Sequence, residues 1–300
     1  MFTNHLIDML RASAVVPINC VDDLDGFLYE NYESPWSLVI NHITGETVLI
    51  GYFSNSSECS FYQSQLIKEF ISRFEPDFNL ETINDEDWKN SYKIHFQPWS
   101  YKGFNLIPLW LKDTHSVPEY EIALYLDPGM AFGTGNHETT RMCMEFMLDD
   151  YEAGGNFGNF IDLGCGSGIL SILASLLGAK SVVGVDNDAD ATRISSENSV
   201  INGVDRSVVF FNQSLNKLNL PLNHYDYIVA NIQADVLINH TRQLLGIVSP
   251  NSKLILSGIL TNEVENVVQS FKNESEHIGP FLSFTKEQGE WTSLKISWDV

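Results

Sequence analysis

The sequence predicts a doubly wound, Rossmann-like α/β domain preceded by a smaller α+β domain. Three observations predict it. From about residue 119, short apolar runs alternate with helical stretches. A glycine-rich turn, Asp162-Leu163-Gly164-Cys165-Gly166-Ser167-Gly168, follows the first of the well-marked strands and opens a helix. An acid, Asp186, ends the next strand, 22 residues beyond Gly164.

The elements follow in order. Residues 36–53 read as a hairpin: PWSLVI and ETVLIGYF are β-rich, and NHITG supplies turn residues between them. Residues 63–74 place Leu66, Ile67, Phe70, Ile71 and Phe74 at helical spacing, and Pro76 stops the run. These belong to an α+β domain of residues 1–95, in which no catalytic constellation is visible. Residues 84–99 predict a short helix ending at Pro98, with Asp85, Glu86 and Asp87 where a helix N-terminus favours negative charge. Residues 96–118, punctuated by Gly103, Pro108 and Pro118, are expected to be a linker: a connector or a few short strands. The large domain is 119–300. Its strands are expected at 159–164, 181–186, 207–212, 225–232 and 252–259, with helices at 169–177, 189–202, 234–245 and 263–271. Strands joined through helices pair in parallel by right-handed crossovers. WTSLKISW (291–298) reads as a late strand, with antiparallel pairing as one option.

Composition narrows the function classes. The 300 residues suffice for two domains, and 44% hydrophobic content supports a sizeable core. Seventeen basic side chains stand against 39 acidic ones, a net charge of −22. Nucleic-acid affinity comes mainly from Lys and Arg neutralising phosphates, so no direct nucleic-acid binding is expected and a basic partner fits better. The acid excess is heaviest in the first two thirds. It reads either as a solubilising surface or as a face that attracts a cationic substrate. Cys20, Cys59, Cys143 and Cys165 form no C-x-x-C pair and no Cys/His cluster of zinc spacing, so reduced buried thiols and no metal are expected. The N-terminus lacks the signature of a secretory signal, and the apolar segment 169–179 is too short to span a bilayer. A cytoplasmic protein without membrane contact is the expectation.

The glycine turn is where a ligand is expected. Glycines let the backbone turn tightly and approach a ligand with no Cβ in the way. In a doubly wound sheet that ligand lies at the carboxyl ends of the strands, beside a helix N-terminus. An acid at the position of Asp186 is placed to accept from both ribose hydroxyls of an adenosine. A nicotinamide fingerprint reads G-x-G-x-x-G. Here the third glycine comes one residue early and Asp162 stands two before the first, the D-x-G-x-G-x-G form of an S-adenosylmethionine (SAM) loop. A dinucleotide, or glycines that only pack a helix on the sheet, are the alternatives. Residues 126–140, LDPGMAFGTGNHETT, concentrate Gly129, Gly133 and Gly135 with Thr134, His137, Thr139 and Thr140. They read as a loop that closes over the cofactor, or as a tight turn with Thr140 in a helix start. Asn231, in VANIQA at the end of the fourth strand, offers an amide donor and a carbonyl acceptor. It could orient a substrate amine, line the cofactor, or merely end a strand.

Together these features resemble the PrmA-type methyltransferases, which use SAM to methylate the eleventh protein of the large ribosomal subunit. That family's pattern, approximately LDPGxAFGTGxHxTT, DxGCGSGIL, an acid after the next strand and AN(I/L), is matched by residues 126–140, 162–170, Asp186 and 230–232. The resemblance covers about 119–300 and extends more weakly to DWKNSYKIHFQPW (87–99) and GYF (51–53). It implies an N-terminal substrate-recognition domain, a linker and a SAM-binding catalytic domain. It carries cofactor contacts onto Thr140, Gly164, Asp186 and Asn231; Asp162 and Gly166 join them from the glycine turn itself. The implied substrates are lysine side chains and the N-terminal α-amine of a basic ribosomal protein, and a monomer is expected. Asn136, Glu138 and Gln233 depart from the residues common in the family, and the N-terminal domain, where the target is chosen, matches poorly. Another protein lysine or a small-molecule amine as acceptor, and a non-catalytic SAM-fold module, are the rival readings. No general base is assigned, with His137 as a candidate that also suits a backbone-holding role.

Overall fold

Two units divide the chain, Met1–His95 and Phe96–Val300. The computed structural model describes residues 9–30, 34–40, 46–70, 76–83, 96–127, 135–275 and 278–298. The first unit contains β1 (Met9–Val16), α1 (Val21–Glu30), β2 (Trp36–Ile40), β3 (Thr47–Phe53), α2 (Ser56–Phe70) and β4 (Asn79–Ile83). Its strands form a sheet of order β2-β3-β1-β4, antiparallel throughout. Buried Ala12, Val16, Leu49 and Phe53 on the strands meet Leu24 and Leu66 on the helices. The expected hairpin is β2–β3, running from Trp36↔Gly51 to Ile40↔Thr47; its turn, 41–45, lies outside the described residues. Helix α2 starts well before residue 63. Asn55 accepts from the Glu58 amide at 3.0 Å, and Glu58 reaches back to the Ser54 amide at 2.7 Å. These two contacts satisfy free donors at the helix start. Positions 71–74 of the expected helix lie outside the described residues. So do 84–95 of the expected acid-capped helix; its last residue, Trp99, begins a strand.

In the second unit, β5 (Trp99–Tyr101), β6 (Phe104–Pro108) and β7 (Ile122–Leu126) make a small sheet. The segment 96–118, expected as a linker, thus holds two short strands of this unit, and Phe104 and Leu106 enter its core. Then follow α3 (Glu138–Glu152), β8 (Asn159–Leu163), α4 (Ile169–Leu176), β9 (Ser181–Asp186), α5 (Ala189–Ile201), β10 (Val208–Asn212) and β11 (Tyr225–Asn231). The chain continues through α6 (Ala234–Asn239), α7 (Thr241–Ile247), β12 (Val248–Leu260), α8 (Val264–Glu274), β13 (Leu282–Gln288) and β14 (Trp291–Ser297).

These build a seven-stranded sheet of order β10-β9-β8-β11-β12-β14-β13. The first five strands are parallel, and β14 runs antiparallel to both neighbours. Strand β8 explains the two-sided core. Phe160 faces a cluster with Met144, Met147 and Leu173, while Ile161 and Leu163 face one with Leu237, Leu244 and Phe271. Burial on both faces is why the central strands β8 and β11 are apolar almost throughout. The chain winds outward from β8 to β10 and then returns to β11, so the winding reverses between β8 and β11. Ligands of such sheets bind at that reversal, outside the carboxyl ends of the strands.

Three elements differ from expectation. The helix expected at 234–245 breaks at His240 (φ −108°, ψ 11°) into α6 and α7. Strand β12 starts at Val248 and carries a register shift against β14 between Leu256 and Ile259. Gly258 sits in that bulge at φ +80°, and a Cβ there would lie 2.6 Å from the Ile232 carbonyl oxygen. Strand β13, exposed on nearly every residue, carries too little apolar alternation to be read from sequence.

Candidate functional site

The glycine turn folds over the end of β9. The amides of Gly164 and Cys165 both donate to the Val185 carbonyl, at 2.8 and 3.0 Å. Gly164 has φ +78°, and an added Cβ would meet Ile232 Cγ2 at 2.5 Å. A side chain at this position meets both a backbone and a packing obstacle. Two residues further on, the Gly166 amide donates to Asp186 Oδ2 at 2.8 Å. The Asp188 amide donates to Asp186 Oδ1 at 3.0 Å. Each carboxylate oxygen is thereby fixed by one backbone donor and keeps capacity for another.

Asp186 lines a cavity of about 750 Å³ across the carboxyl edge of the sheet. Asn187, Gln213 and Ser214 wall its β9–β10 end; Gly164, Asn231 and Ile232 lie at the centre; His137, Thr139, Gly258 and Trp291 close the other end. From β9 to β14 is four strand spacings, roughly 19 Å. Among the described lining residues, Asp186 is the one carboxylate and there is no Lys or Arg. A cation entering this cavity therefore meets attraction from Asp186 and no competing positive charge among the described lining residues.

Asn231 is 9% exposed and pairs with Ser257 in the sheet. Its Nδ2 donates to Thr140 Oγ1 at 3.2 Å, which sets the direction of the amide. Its Oδ1 is buried with no protein partner. A buried polar atom in this state is completed by a bound donor. At the other end, His137 caps α3: its ring accepts from the Thr139 amide at 3.4 Å and its Nδ1 lies 2.8 Å from Thr139 Oγ1. The His137 ring meets the Trp291 indole edge-on at 5.1 Å between centroids.

Of the six predicted contact residues, Gly164, Asp186 and Asn231 line the cavity; Thr140, Asp162 and Gly166 stand one layer behind it. Thr140 is turned inward to hold Asn231. The preceding residue, Thr139, lines the cavity instead, because successive helical residues point about 100° apart. The Gly166 amide is taken by Asp186. Asp162 is fully buried; Ser171 Oγ donates to its Oδ2 at 2.8 Å and its Oδ1 has no protein partner. Burial pushes its carboxyl up to about 7; the Ser171 hydrogen bond opposes this and the nearby Asp186 charge adds to it. It lies beneath the turn, outside the cavity lining. Gly129, Gly133 and Thr134 of the 126–140 loop lie outside the described residues.

Several lining residues went unread in the sequence. Gln213, Ser214 and Asn216 follow the edge strand β10 in a plain polar loop, and Trp291 read only as the start of a late strand. His240 also lines the cavity, its Nε2 lying 2.8 Å from Asn216 Oδ1. Among the described residues, no group of His, Cys, Asp and Glu could hold a metal ion, and no helix is long and apolar enough to cross a membrane. All four cysteines are buried and unpaired with one another.

Four matches relate this chain to known proteins. The model of a family described as ribosomal protein L11 methyltransferase (PrmA) matches residues 18–298. The ribosomal protein L11 methyltransferase of Pseudomonas paraeruginosa is 40% identical over 226 residues, 74% of this chain and 70% of that protein. The protein of that name from Azotobacter vinelandii is 38% identical over 222 residues, 73% and 70%. The crystal structure of a ribosomal protein L11 methylase from Lactobacillus delbrueckii subsp. bulgaricus superposes with a TM-score of 0.57 at 29% identity, covering 67% of this chain and 98% of that one.

Proposed function

The chain belongs to the ribosomal protein L11 methyltransferase (PrmA) family, and we propose that it methylates lysine side chains and/or the N-terminal α-amine of ribosomal protein L11 with SAM as cofactor. The observation that carries this reading is the cavity that runs from the twice-fixed Asp186 carboxylate to the unpartnered Asn231 oxygen. SAM supplies a methyl group on a sulfonium, whose S–C electron pair leaves with sulfur as the N–C bond forms.

The protein's own residues supply position. Asp186 would accept from the ribose hydroxyls, and the turn at Gly164 leaves room for the nucleoside. Gly166 acts through Asp186, and Thr140 through Asn231. Asp162 holds α4 to the turn through Ser171. A lysine amine enters protonated, with an ordinary pKa near ~10.4, and must release that proton to water before attack. Entry into a cavity of mainly apolar walls favours the neutral amine. Asn231 Oδ1 would then accept a remaining N–H and aim the lone pair. Holding two reactants in line is worth ~7–11 kcal/mol at best.

Residues 1–95 would select the target, and their excess of acid suits a basic protein. The same charge disfavours nucleic acid. A cytoplasmic monomer without membrane contact completes the proposal. The test is incubation with labelled SAM and unmethylated ribosomal protein L11, followed by mass mapping of modified amines. Label on L11 lysines or its α-amine supports the reading. Label on another acceptor, or none while SAM binds, removes it.

A further inference from the structure

The start of α3 forms part of the cavity wall: His137 and Thr139 line it, and Thr140 holds Asn231. The turn that delivers His137 is fixed on three sides. Gly135 has φ +81°, and an added Cβ would run into Leu106 of β6 and lie 3.0 Å from Cδ1 of Ile169, the first residue of α4. The third side is Arg141. Its Nε donates to the Gly135 carbonyl at 3.0 Å, and its Nη2 donates to Asn136 Oδ1 at 3.4 Å. The same guanidinium lies over the Trp99 ring of β5, 5.9 Å from its centre. We propose that Arg141 is a positioning residue, which clasps the Gly135–His137 turn, holds this part of the cavity wall in place and is itself braced by Trp99.

The partners of Arg141 point to this role. The chain holds 39 acidic side chains, yet among the described residues no carboxylate pairs with Arg141. Its half-buried charge goes instead to a main-chain carbonyl, a side-chain amide and an indole face. The bond to Gly135 reaches six residues back, beyond the helix, so it ties the turn to α3 rather than one helical turn to the next. A planar guanidinium fixes direction as well as distance, which the point charge of a lysine does not. An indole face attracts the cation and leaves its N–H groups for the turn. Displacing the Gly135 carbonyl would carry His137 and Thr139 with it. The consequence for cofactor affinity rests on the proposed SAM site, whereas the consequence for the turn does not.

Full-length wild type is compared with Arg141→Met, Arg141→Lys, Trp99→Leu and the double variant Arg141→Met/Trp99→Leu. Calorimetry reads S-adenosylhomocysteine affinity, urea midpoints read stability, and NMR follows the ring C–H resonances of His137 without ligand, assigned with His137→Gln. Arg141→Met keeps an apolar stem beside Trp99 and loses the fork. It is expected to bind S-adenosylhomocysteine about tenfold more weakly and to shift the His137 resonances. Arg141→Lys should restore affinity to within about threefold of wild type and shift those resonances less. Trp99→Leu should weaken binding about threefold, and the double variant no further than Arg141→Met alone, because Trp99 acts through Arg141. Wild-type affinity in a folded Arg141→Met, unmoved His137 resonances, or losses that add in the double variant would overturn the assignment. A lower urea midpoint as the only change would do the same. Should Arg141→Met not fold, Arg141→Lys decides: a His137 shift with weaker binding supports the clasp, and neither change overturns it. If wild type binds no S-adenosylhomocysteine, the functional reading fails while the His137 resonances still decide the clasp.

Discussion

The amide of Gly166 and the carboxylate of Asp186, 2.8 Å apart, tie the glycine turn to the end of the neighbouring strand. With the Asp188 amide on the other oxygen, the side chain is oriented by backbone before any ligand arrives. Binding to a pre-oriented group avoids the cost of ordering it.

Replacing that carboxylate should therefore uncouple binding from folding. Asp186→Ala is expected to weaken SAM and S-adenosylhomocysteine binding on the order of 100-fold, from two lost hydrogen bonds to a charged acceptor. Calorimetric titration reads the affinity, and circular dichroism checks the fold. Unchanged affinity would remove the ribose role.

Asn231→Ala removes an acceptor that lies at the cavity centre and releases Thr140. Turnover on L11 should fall by about 10²-fold, with a smaller change in S-adenosylhomocysteine affinity. Single-turnover kinetics beside calorimetry separate the two. An equal loss in both would make Asn231 a cofactor ligand alone.

Asp162 gives a pH prediction. Its carboxyl titrates near 7 when folded against an ordinary value of 3.8, with burial the main cause. The folded state holds that proton where the unfolded state does not, so stability from this group is full at acid pH and lost as pH rises toward about 7. Asp162→Asn, neutral at every pH, should flatten the slope. Its advantage over wild type should grow from about pH 4 to about pH 7 and reach on the order of a few kcal/mol. Urea midpoints of both proteins at about pH 5 and about pH 8 check it. Parallel pH profiles would mean Asp162 is ionised throughout.

Asp150 anchors the far end of α3. Its Oδ1 lies 2.7 Å from Lys295 Nζ and 3.2 Å from Lys253 Nζ, and Tyr227 donates to its Oδ2 at 2.8 Å. Asp150→Ala leaves two largely buried ammonium groups without this partner and should cost about 3–5 kcal/mol, read as a lower denaturation midpoint. A change below about 1 kcal/mol would show that solvent already compensates the cluster.

The two units have separate apolar cores. Removing residues 1–95 should leave S-adenosylhomocysteine binding close to wild type and abolish methylation of L11. Retained methylation of L11 by the shortened chain would assign target choice to residues 96–300.

The central half of this molecule was legible because its chemistry is local. Glycines at 164, 166 and 168, the apolar runs on either side and the acid at 186 lie within one strand–helix–strand unit, where spacing alone fixes geometry. Thr140 and Asp162 show the limit. Both lie behind the cavity lining, and which side of the wall each faces depends on helix phase and burial. Trp291 and His137 are 154 positions apart in the chain and meet only because β14 turns back along β12. His240 reaches the site through a helix break that no Pro or Gly announces. No local pattern carries such pairings.

The most direct measurement is a crystal structure of the full-length protein with S-adenosylhomocysteine. The ribose hydroxyls should lie within hydrogen-bond distance of the Asp186 carboxylate, with the sulfur toward Asn231 and the Trp291 end left open. A ribose bound away from Asp186, or side chains filling the space between Asp186 and Asn231, would contradict the site.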